Sequence, residues 1–419
     1  MRQVAVVGQG YVGLPLAVRA AECGDQVVGF DVDEQRISGL LGGNSHVEDV
    51  DNERLSSAVA SGRYVPTSDP AALSGFEIAV VTVPTPLRDG RPDLSHVEAA
   101  TRSLAPHLTR GACVILESTT YPGTTEQLVG PLLERESGLV PGKEFDLGYS
   151  PERIDPGNEE WPFERIPKVV SGVNDTSRRR VEAFYRPLID RPVPVSSPRV
   201  AELTKLLENT FRHVNIALVN ELAIFAAELE IDIWEVVEAA ATKPFGYLPF
   251  RPGPGVGGHC LPIDPTYLSW QVRNQLGHSF RFVELANEIN NYMPHYVVQR
   301  VSRALTARRQ PLLGAQILIL GLAYKPDTGD VRESPAIQVA HLFAEAGATV
   351  RAADPQVPDA FQDPVIARVS ATREEVEAAS AVVLLVDHTE FDYSLITEHA
   401  TYVFDAKRRL PKHDNIEFL

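Results

Sequence analysis

Gln3-Val4-Ala5-Val6-Val7-Gly8-Gln9-Gly10-Tyr11-Val12-Gly13 is the stretch that decides the fold. Residues 3–8 read as a short buried strand running straight into glycine, and residues 10–23 then carry a helical pattern. A strand, a G-x-G-x-x-G turn and a helix together make a dinucleotide site. The first glycine permits the tight turn, and the second lets the backbone approach a pyrophosphate. The third lets the helix pack on the strand, and the helix N-terminus attracts the phosphates. Residues 27–31 read as the next strand, closing on Asp31, 23 residues after Gly8. An acid at that point accepts hydrogen bonds from a ribose and repels a 2′-phosphate, so NAD is expected rather than NADP. Arg36 lies a few residues further on and is a candidate either for the adenosine or for plain surface.

Outward from this turn, residues 78–83 and 112–116 read as further strands with helices between them, which argues a parallel α/β sheet. The expected architecture is an N-terminal Rossmann domain, a central helical domain with a long helix, and a C-terminal Rossmann-like domain. The first, 1–196, ends where Arg191-Pro192-Val193-Pro194-Val195 breaks the pattern. Ser197 and Pro198 then read as an N-cap and N1 proline. They open a helix reaching about Leu229, along which Val200, Leu203, Leu207, Phe211, Val214 and Leu218 recur at helical spacing. Some 30 residues of helix span roughly 45 Å, enough to bridge domains or pack against a partner chain. The central domain is set at 197–308, interrupted by the Pro/Gly-rich segment 244–258. The third, 309–419, has strands at 316–321, 349–353 and 381–387, a helix from about Ser334, and an acid, Asp354, closing its second strand. It looks like a weak internal duplication without a full G-x-G-x-x-G.

Bulk chemistry narrows the function classes. The 419 residues carry a formal net charge of −17, which argues against nucleic acid or an anionic membrane as partner. Seven lysines stand against 32 arginines, so a lysine inside a motif is informative. Three cysteines without a CxxC pair suit a reducing compartment, and no histidine spacing suggests a metal. No apolar run approaches the ~18 residues of a membrane helix, and the N-terminus does not read as a signal peptide. The expected location is the cytoplasm.

A second chemical cluster is Gly255-Val256-Gly257-Gly258-His259-Cys260-Leu261-Pro262-Ile263-Asp264. Glycines before a cysteine allow backbone amides to approach a substrate closely. A helix beginning at or just after Cys260 would favour its thiolate, and Asp264, four residues on, would then share its face. A thiolate beside a nicotinamide can add to an aldehyde, and the adduct can lose a second hydride to become a thioester. Cys23 and Cys113, within apolar patterns, read as packing residues.

The motifs together resemble the UDP-glucose/GDP-mannose dehydrogenases over nearly the whole chain. They are the Gly8–Gly13 turn, Val83-Pro84-Thr85-Pro86, Glu117-Ser118-Thr119, Ser150-Pro151-Glu152-Arg153, Lys205 with Asn209, Gly257-Gly258-His259-Cys260 with Asp264, and Lys325 with Arg332. The resemblance implies a homodimer formed through the central helix and a four-electron oxidation of a nucleotide-diphosphate sugar to a uronate, of the kind used in polysaccharide biosynthesis. It implies Cys260 as nucleophile, Lys205 and Asn209 at the C6 oxygen, Asp264 on water, and Thr119 with Glu152 on the hydrolytic water and the cofactor. It implies NAD contacts from Gly8, Gly10, Tyr11, Val12, Gly13, Asp31, Arg36, Thr82, Pro84, Thr85, Ser118, Thr119 and Arg332. Substrate contacts fall to Glu152, Arg153, Lys205, Asn209, Arg251, Gly257 and Lys325. The form Ser150-Pro151-Glu152-Arg153-Ile154-Asp155-Pro156-Gly157 resembles the branch acting on UDP-N-acetyl-glucosamine or -mannosamine. UDP-glucose or dTDP-glucose is the alternative substrate, with GDP-mannose or a one-hydride β-hydroxyacid reaction behind it. Pro244 stands where the glucose branch carries an arginine sixteen residues before the cysteine, and Arg251 is the candidate substitute.

Overall fold

A computed structural model describes residues 1–419 except Pro156, Gly157, Glu159, His259 and Cys260. The chain divides into two compact units, Met1–Glu208 and Asn209–Leu419, and the division falls inside the long helix.

The first unit is built on strands β1 (Gln3–Val7), β2 (Gln26–Phe30), β3 (Tyr64–Thr67), β4 (Ile78–Val81), β5 (Cys113–Leu116) and β6 (Asp146–Tyr149). All pair in parallel, in the order β3-β2-β1-β4-β5-β6. The central strands are apolar throughout because helices cover both faces, as parallel sheets require. Their side chains join Leu14, Leu16, Ala17 and Val18 of the helix Gly13–Glu22 in one buried core. The order reverses between β1 and β4, and the crevice at the carboxyl ends of such a sheet is where doubly wound folds place ligands.

The second unit contains the helices Ile233–Ala241, Asp264–Leu276 and Arg281–Ala307, followed by strands β7 (Gln316–Leu320), β8 (Thr349–Ala353), β9 (Ile366–Arg368), β10 (Ala381–Leu384), β11 (Val403–Asp405) and β12 (Ile416–Phe418). These are again all parallel, in the order β9-β8-β7-β10-β11-β12. The two sheets repeat each other down to single hydrogen bonds. Gly8 has φ +95° and donates to Phe30 O at 2.8 Å, and Gly321 has φ +88° and donates to Ala353 O at 2.9 Å. The next amide in each turn donates to the acid after the second strand: Gln9 to Asp31 at 2.7 Å, Leu322 to Asp354 at 2.6 Å. In the second unit His388 is fully buried and its Nε2 lies 3.0 Å from Asp354 Oδ2, while its Nδ1 accepts the Asp327 amide.

The long helix runs Pro198–Glu228, within a residue of the expected end. Val200, Leu203, Leu207, Phe211, Leu218, Leu222 and Phe225 on it are exposed. Among the described residues no helix is long and apolar enough to cross a membrane, and no cluster of His, Cys, Asp and Glu has metal-binding spacing.

Candidate active site

The first unit gathers its expected site residues after the carboxyl ends of five strands of one sheet. Gly8–Gly13 follows β1, Asp31 follows β2, Thr82–Thr85 follows β4, Glu117–Thr119 follows β5 and Ser150–Arg153 follows β6. The glycine turn is held from within. A Cβ on Gly13 would stand 1.8 Å from Gly8 O and 2.4 Å from Thr82 Oγ1, while one on Gly10 would meet nothing within 4 Å. Thr82 explains its own place, since its hydroxyl donates to Gly8 O at 2.8 Å. The helix Gly13–Glu22 has no side-chain cap, and its N-terminus, the positive end of the helix dipole, opens directly on the turn. The turn therefore fits a dinucleotide pyrophosphate.

Asp31 is buried and accepts the amides of Gln9 (2.7 Å) and Asp33 (3.0 Å). Arg36, half-buried, pairs with Asp31 at 2.8 Å. Tyr11 is exposed and Val12 half-buried at the turn. Pro84 is exposed, Thr85 buried, and Ser118 donates to Val83 O at 2.7 Å, tying the two strand ends together. Thr119 is half-buried.

Glu152 is enclosed. Its Oε1 accepts the amides of Arg153 and Ile154, both at 2.6 Å, and its Oε2 accepts from Lys168 Nζ at 2.7 Å. Lys168 also pairs with Glu117, whose other oxygen accepts from Tyr185 Oη at 2.8 Å. Burial pushes the Glu117 carboxyl up to about 8. Burial works the same way on Glu152, but the Lys168 charge, the hydrogen bond from Glu117 and the Arg153 amide outweigh it and hold that carboxyl down at about 2. Arg153 is turned toward its own unit, donating to Pro167 O at 2.6 Å and pairing with Glu208. Sequence reading missed Lys168, although the scarcity of lysine was a signal for it. It missed Gln9 too, whose buried side chain spans Val6 O, Gly8 O and the Tyr64 hydroxyl.

Lys205 is buried, one helical turn before Asn209 on the long helix. In the second unit the Asn209 amide donates to Asp264 Oδ2 at 2.5 Å, and Asp264 is buried at the first position of the helix Asp264–Leu276. Here one expectation is corrected. Residues 261–263 form a turn and the helix starts only at Asp264, not in the residues just before it as the expectation had it. Pro265 in the first helical turn is the physical reason, since proline belongs at a helix start. Cys260 and His259 lie outside the described residues.

The glycine loop ahead of them is packed without room for side chains. A Cβ on Gly257 would stand 2.7 Å from Glu333 O, and Gly258, at φ +83°, donates to Arg332 O at 3.0 Å. At its start the Gly253 amide donates to Asn220 Oδ1 at 2.9 Å. Arg251 is exposed. Lys325 is half-buried with Nζ 5.8 Å from the Tyr324 ring centre, and Arg332 is exposed and paired with Asp330 at 2.6 Å.

Two parallel sheets of matching order, the first bearing a glycine turn and a buried acid after its second strand, define a nucleotide-binding α/β protein. Comparison with known proteins carries this further. The family model described as the UDP-glucose/GDP-mannose dehydrogenase NAD binding domain matches residues 2–189, its central domain 199–292, and its UDP binding domain 318–412. The chain is 39% identical over 395 residues to the UDP-N-acetyl-D-glucosamine 6-dehydrogenase of Pseudomonas aeruginosa, covering 93% of this chain and 91% of that one. It is 35% identical over 390 residues to the UDP-N-acetyl-D-mannosamine dehydrogenase of Pyrococcus horikoshii, covering 93% and 90%. The solved structure of a UDP-D-ManNAc dehydrogenase from Pyrococcus horikoshii superposes with a TM-score of 0.90 at 33% identity, over 99% of this chain and 98% of that one. The chain belongs to the UDP-glucose/GDP-mannose dehydrogenase family.

Proposed function

We propose that this chain oxidises the C6 alcohol of UDP-N-acetyl-glucosamine or UDP-N-acetyl-mannosamine to the carboxylate, consuming two NAD. The observation that carries the reading is the Gly8–Gly13 turn closed by the buried Asp31 carboxylate, in a chain whose relatives are dehydrogenases of UDP-N-acetylhexosamines. When bound, NAD accepts a hydride from the substrate carbon at each oxidation. The first leaves an aldehyde. The Cys260 thiolate adds to its carbon, and loss of the second hydride turns the thiohemiacetal into a thioester. Water then cleaves the C–S bond, releasing the carboxylate and the thiolate.

The chain's other residues are assigned around that sequence. Lys205 stabilises the oxyanion and Asn209 donates to the C6 oxygen. Asp264, oriented by Asn209, and Thr119 with Glu152 act on the water. The turn residues with Asp31, Arg36, Thr82, Pro84, Thr85, Ser118 and Arg332 hold NAD. Arg153, Arg251, Gly257 and Lys325 hold the nucleotide sugar. The exposed apolar side chains of the long helix support a homodimer formed through it. We also assign the three-part division 1–196, 197–308 and 309–419, a cytoplasmic location and a role in polysaccharide biosynthesis.

The test is incubation of the protein with NAD and each candidate: UDP-N-acetyl-glucosamine, UDP-N-acetyl-mannosamine, UDP-glucose and GDP-mannose. Two NADH per UDP-N-acetylhexosamine are expected, with Cys260→Ala losing the second. Turnover of UDP-glucose alone, or one NADH per sugar in the unaltered protein, overturns the reading.

A further inference from the structure

Glu117, Glu152, Lys168 and Tyr185 reach one buried pocket from four places: the ends of β5 and β6, the short strand Lys168–Val170 and the helix Asp175–Tyr185. Lys168 is 3% exposed and Glu117 0%. The ammonium has three protons, and the structure uses all of them: Glu117 Oε1, Glu152 Oε2 at 2.7 Å and Pro151 O at 3.3 Å. Rings close the pocket, with Nζ 5.3 Å from the centre of Tyr185 and 6.0 Å from that of Phe163. The nearby guanidinium, Arg153, is committed to Glu208 and Pro167 O.

The pocket thus holds two carboxyl groups and one positive charge. An uncompensated charge in such surroundings costs several kcal/mol. Two carboxylates crowded together ionise stepwise, and the less well-solvated one keeps its proton. Glu152 receives two backbone amides besides Lys168, while Glu117 receives the neutral Tyr185 hydroxyl. The proton therefore belongs to Glu117.

We propose that Glu117 carries a proton at neutral pH, making the pocket electrically neutral, and that Glu117 and Lys168 are positioning residues that hold Glu152 charged and keep the turn Pro151–Ile154 in place. This rests on the reading above only in taking that turn as part of the active site; the protonation itself stands without it.

The test compares the full-length protein with Glu117→Gln, which imitates a protonated glutamate in size and hydrogen bonding. Infrared spectra of the folded protein at pH 7 should show a buried protonated-carboxyl band that Glu117→Gln removes. The sign of the pH effect follows from linkage. A carboxyl raised from 4.5 to about 8 in the folded state binds a proton the unfolded chain has lost, so its stabilisation is complete at acid pH and fades as pH rises to about 8. Between those limits the wild-type folding equilibrium should weaken by up to roughly tenfold per pH unit relative to Glu117→Gln. With substrate, the pH profile of kcat should fall on the alkaline side in the wild type and lose that fall in Glu117→Gln. Lys168→Met should fall at least tenfold in kcat at little change in the KM for NAD, and Lys168→Arg should recover part of it. A missing carboxyl band, or equal pH slopes in the two proteins, overturns the proposal. Absence of turnover with every nucleotide sugar would sink the assigned activity and leave the infrared and stability results to judge the cluster.

Discussion

Alanine at Gly13 and alanine at Gly10 should fail in opposite ways. Gly13 opens the first helix, where alanine ordinarily gains about 1 kcal/mol over glycine. Here the added carbon would stand 1.8 Å from Gly8 O, about 1.6 Å inside the 3.4 Å of ordinary contact, and 2.4 Å from Thr82 Oγ1. Neither neighbour yields easily, since one is the backbone of the turn and the other is fixed by two carbonyl acceptors. Overpacking of this kind costs about 1–3 kcal/mol, which outweighs the helix gain. In a unit of this size it lowers the melting temperature by roughly 2–4 °C per kcal/mol. At Gly10 the added carbon meets no protein atom within 4 Å, so stability should hold. It does lie where the backbone is exposed to a pyrophosphate, and 1–3 kcal/mol lost there would weaken NAD binding by roughly 5- to 150-fold. Thermal melts of both variants, paired with calorimetric titration of NAD, separate the effects. The reasoning fails if Gly13→Ala melts with the wild type, or if Gly10→Ala binds NAD at full strength.

If Asp31 binds the ribose as proposed, Asp31→Ala should weaken NAD binding by roughly tenfold or more, as loss of a charged hydrogen bond does, and should narrow the preference over NADP because Arg36 is released; KM values for the two cofactors check this. Glu202 is buried and accepts Gly123 N at 2.5 Å, Thr125 N at 2.9 Å and Thr125 Oγ1 at 2.7 Å, so Glu202→Ala should cost about 1–3 kcal/mol for each donor left unpaired. Urea denaturation measures it, and a midpoint unchanged from wild type would contradict those bonds. The proposed homodimer predicts a dimer mass by light scattering that a charge in the apolar stripe of the long helix, Leu218→Glu, shifts to monomer; a monomeric wild type, or a dimer unmoved by the charge, contradicts the proposed interface.

What could be read from the chain alone was whatever repeats at short range. The apolar run into Gly8, the acid at Asp31 and the strands after 316 each announce themselves within a few residues, and the observed strands fall within a few residues of those expectations. The long helix declared both its ends, through Pro198 and the run of spaced apolar residues. What stayed hidden was assembled across the chain. Lys168 meets Glu117 from 51 residues away and Tyr185 meets it from 68, and no local pattern marks a lysine destined for the interior. Asn220 holding Gly253 is a bond of the same kind, across 33 residues. The helix start at Asp264 is marked locally by Pro265, which belongs in a first helical turn.

The pairing of Asp354 with His388 sets the second sheet apart from the first. Among the described residues Asp31 takes three donors, from Gln9, Asp33 and Arg36, and a carboxylate has about four places to accept, so one acceptor place stays open. Asp354 takes five, from Leu322, Ala323, Gln356, Val357 and the buried imidazole, and is saturated. The same turn-and-acid motif leaves an acceptor place open in the first sheet and is an internal clasp in the second.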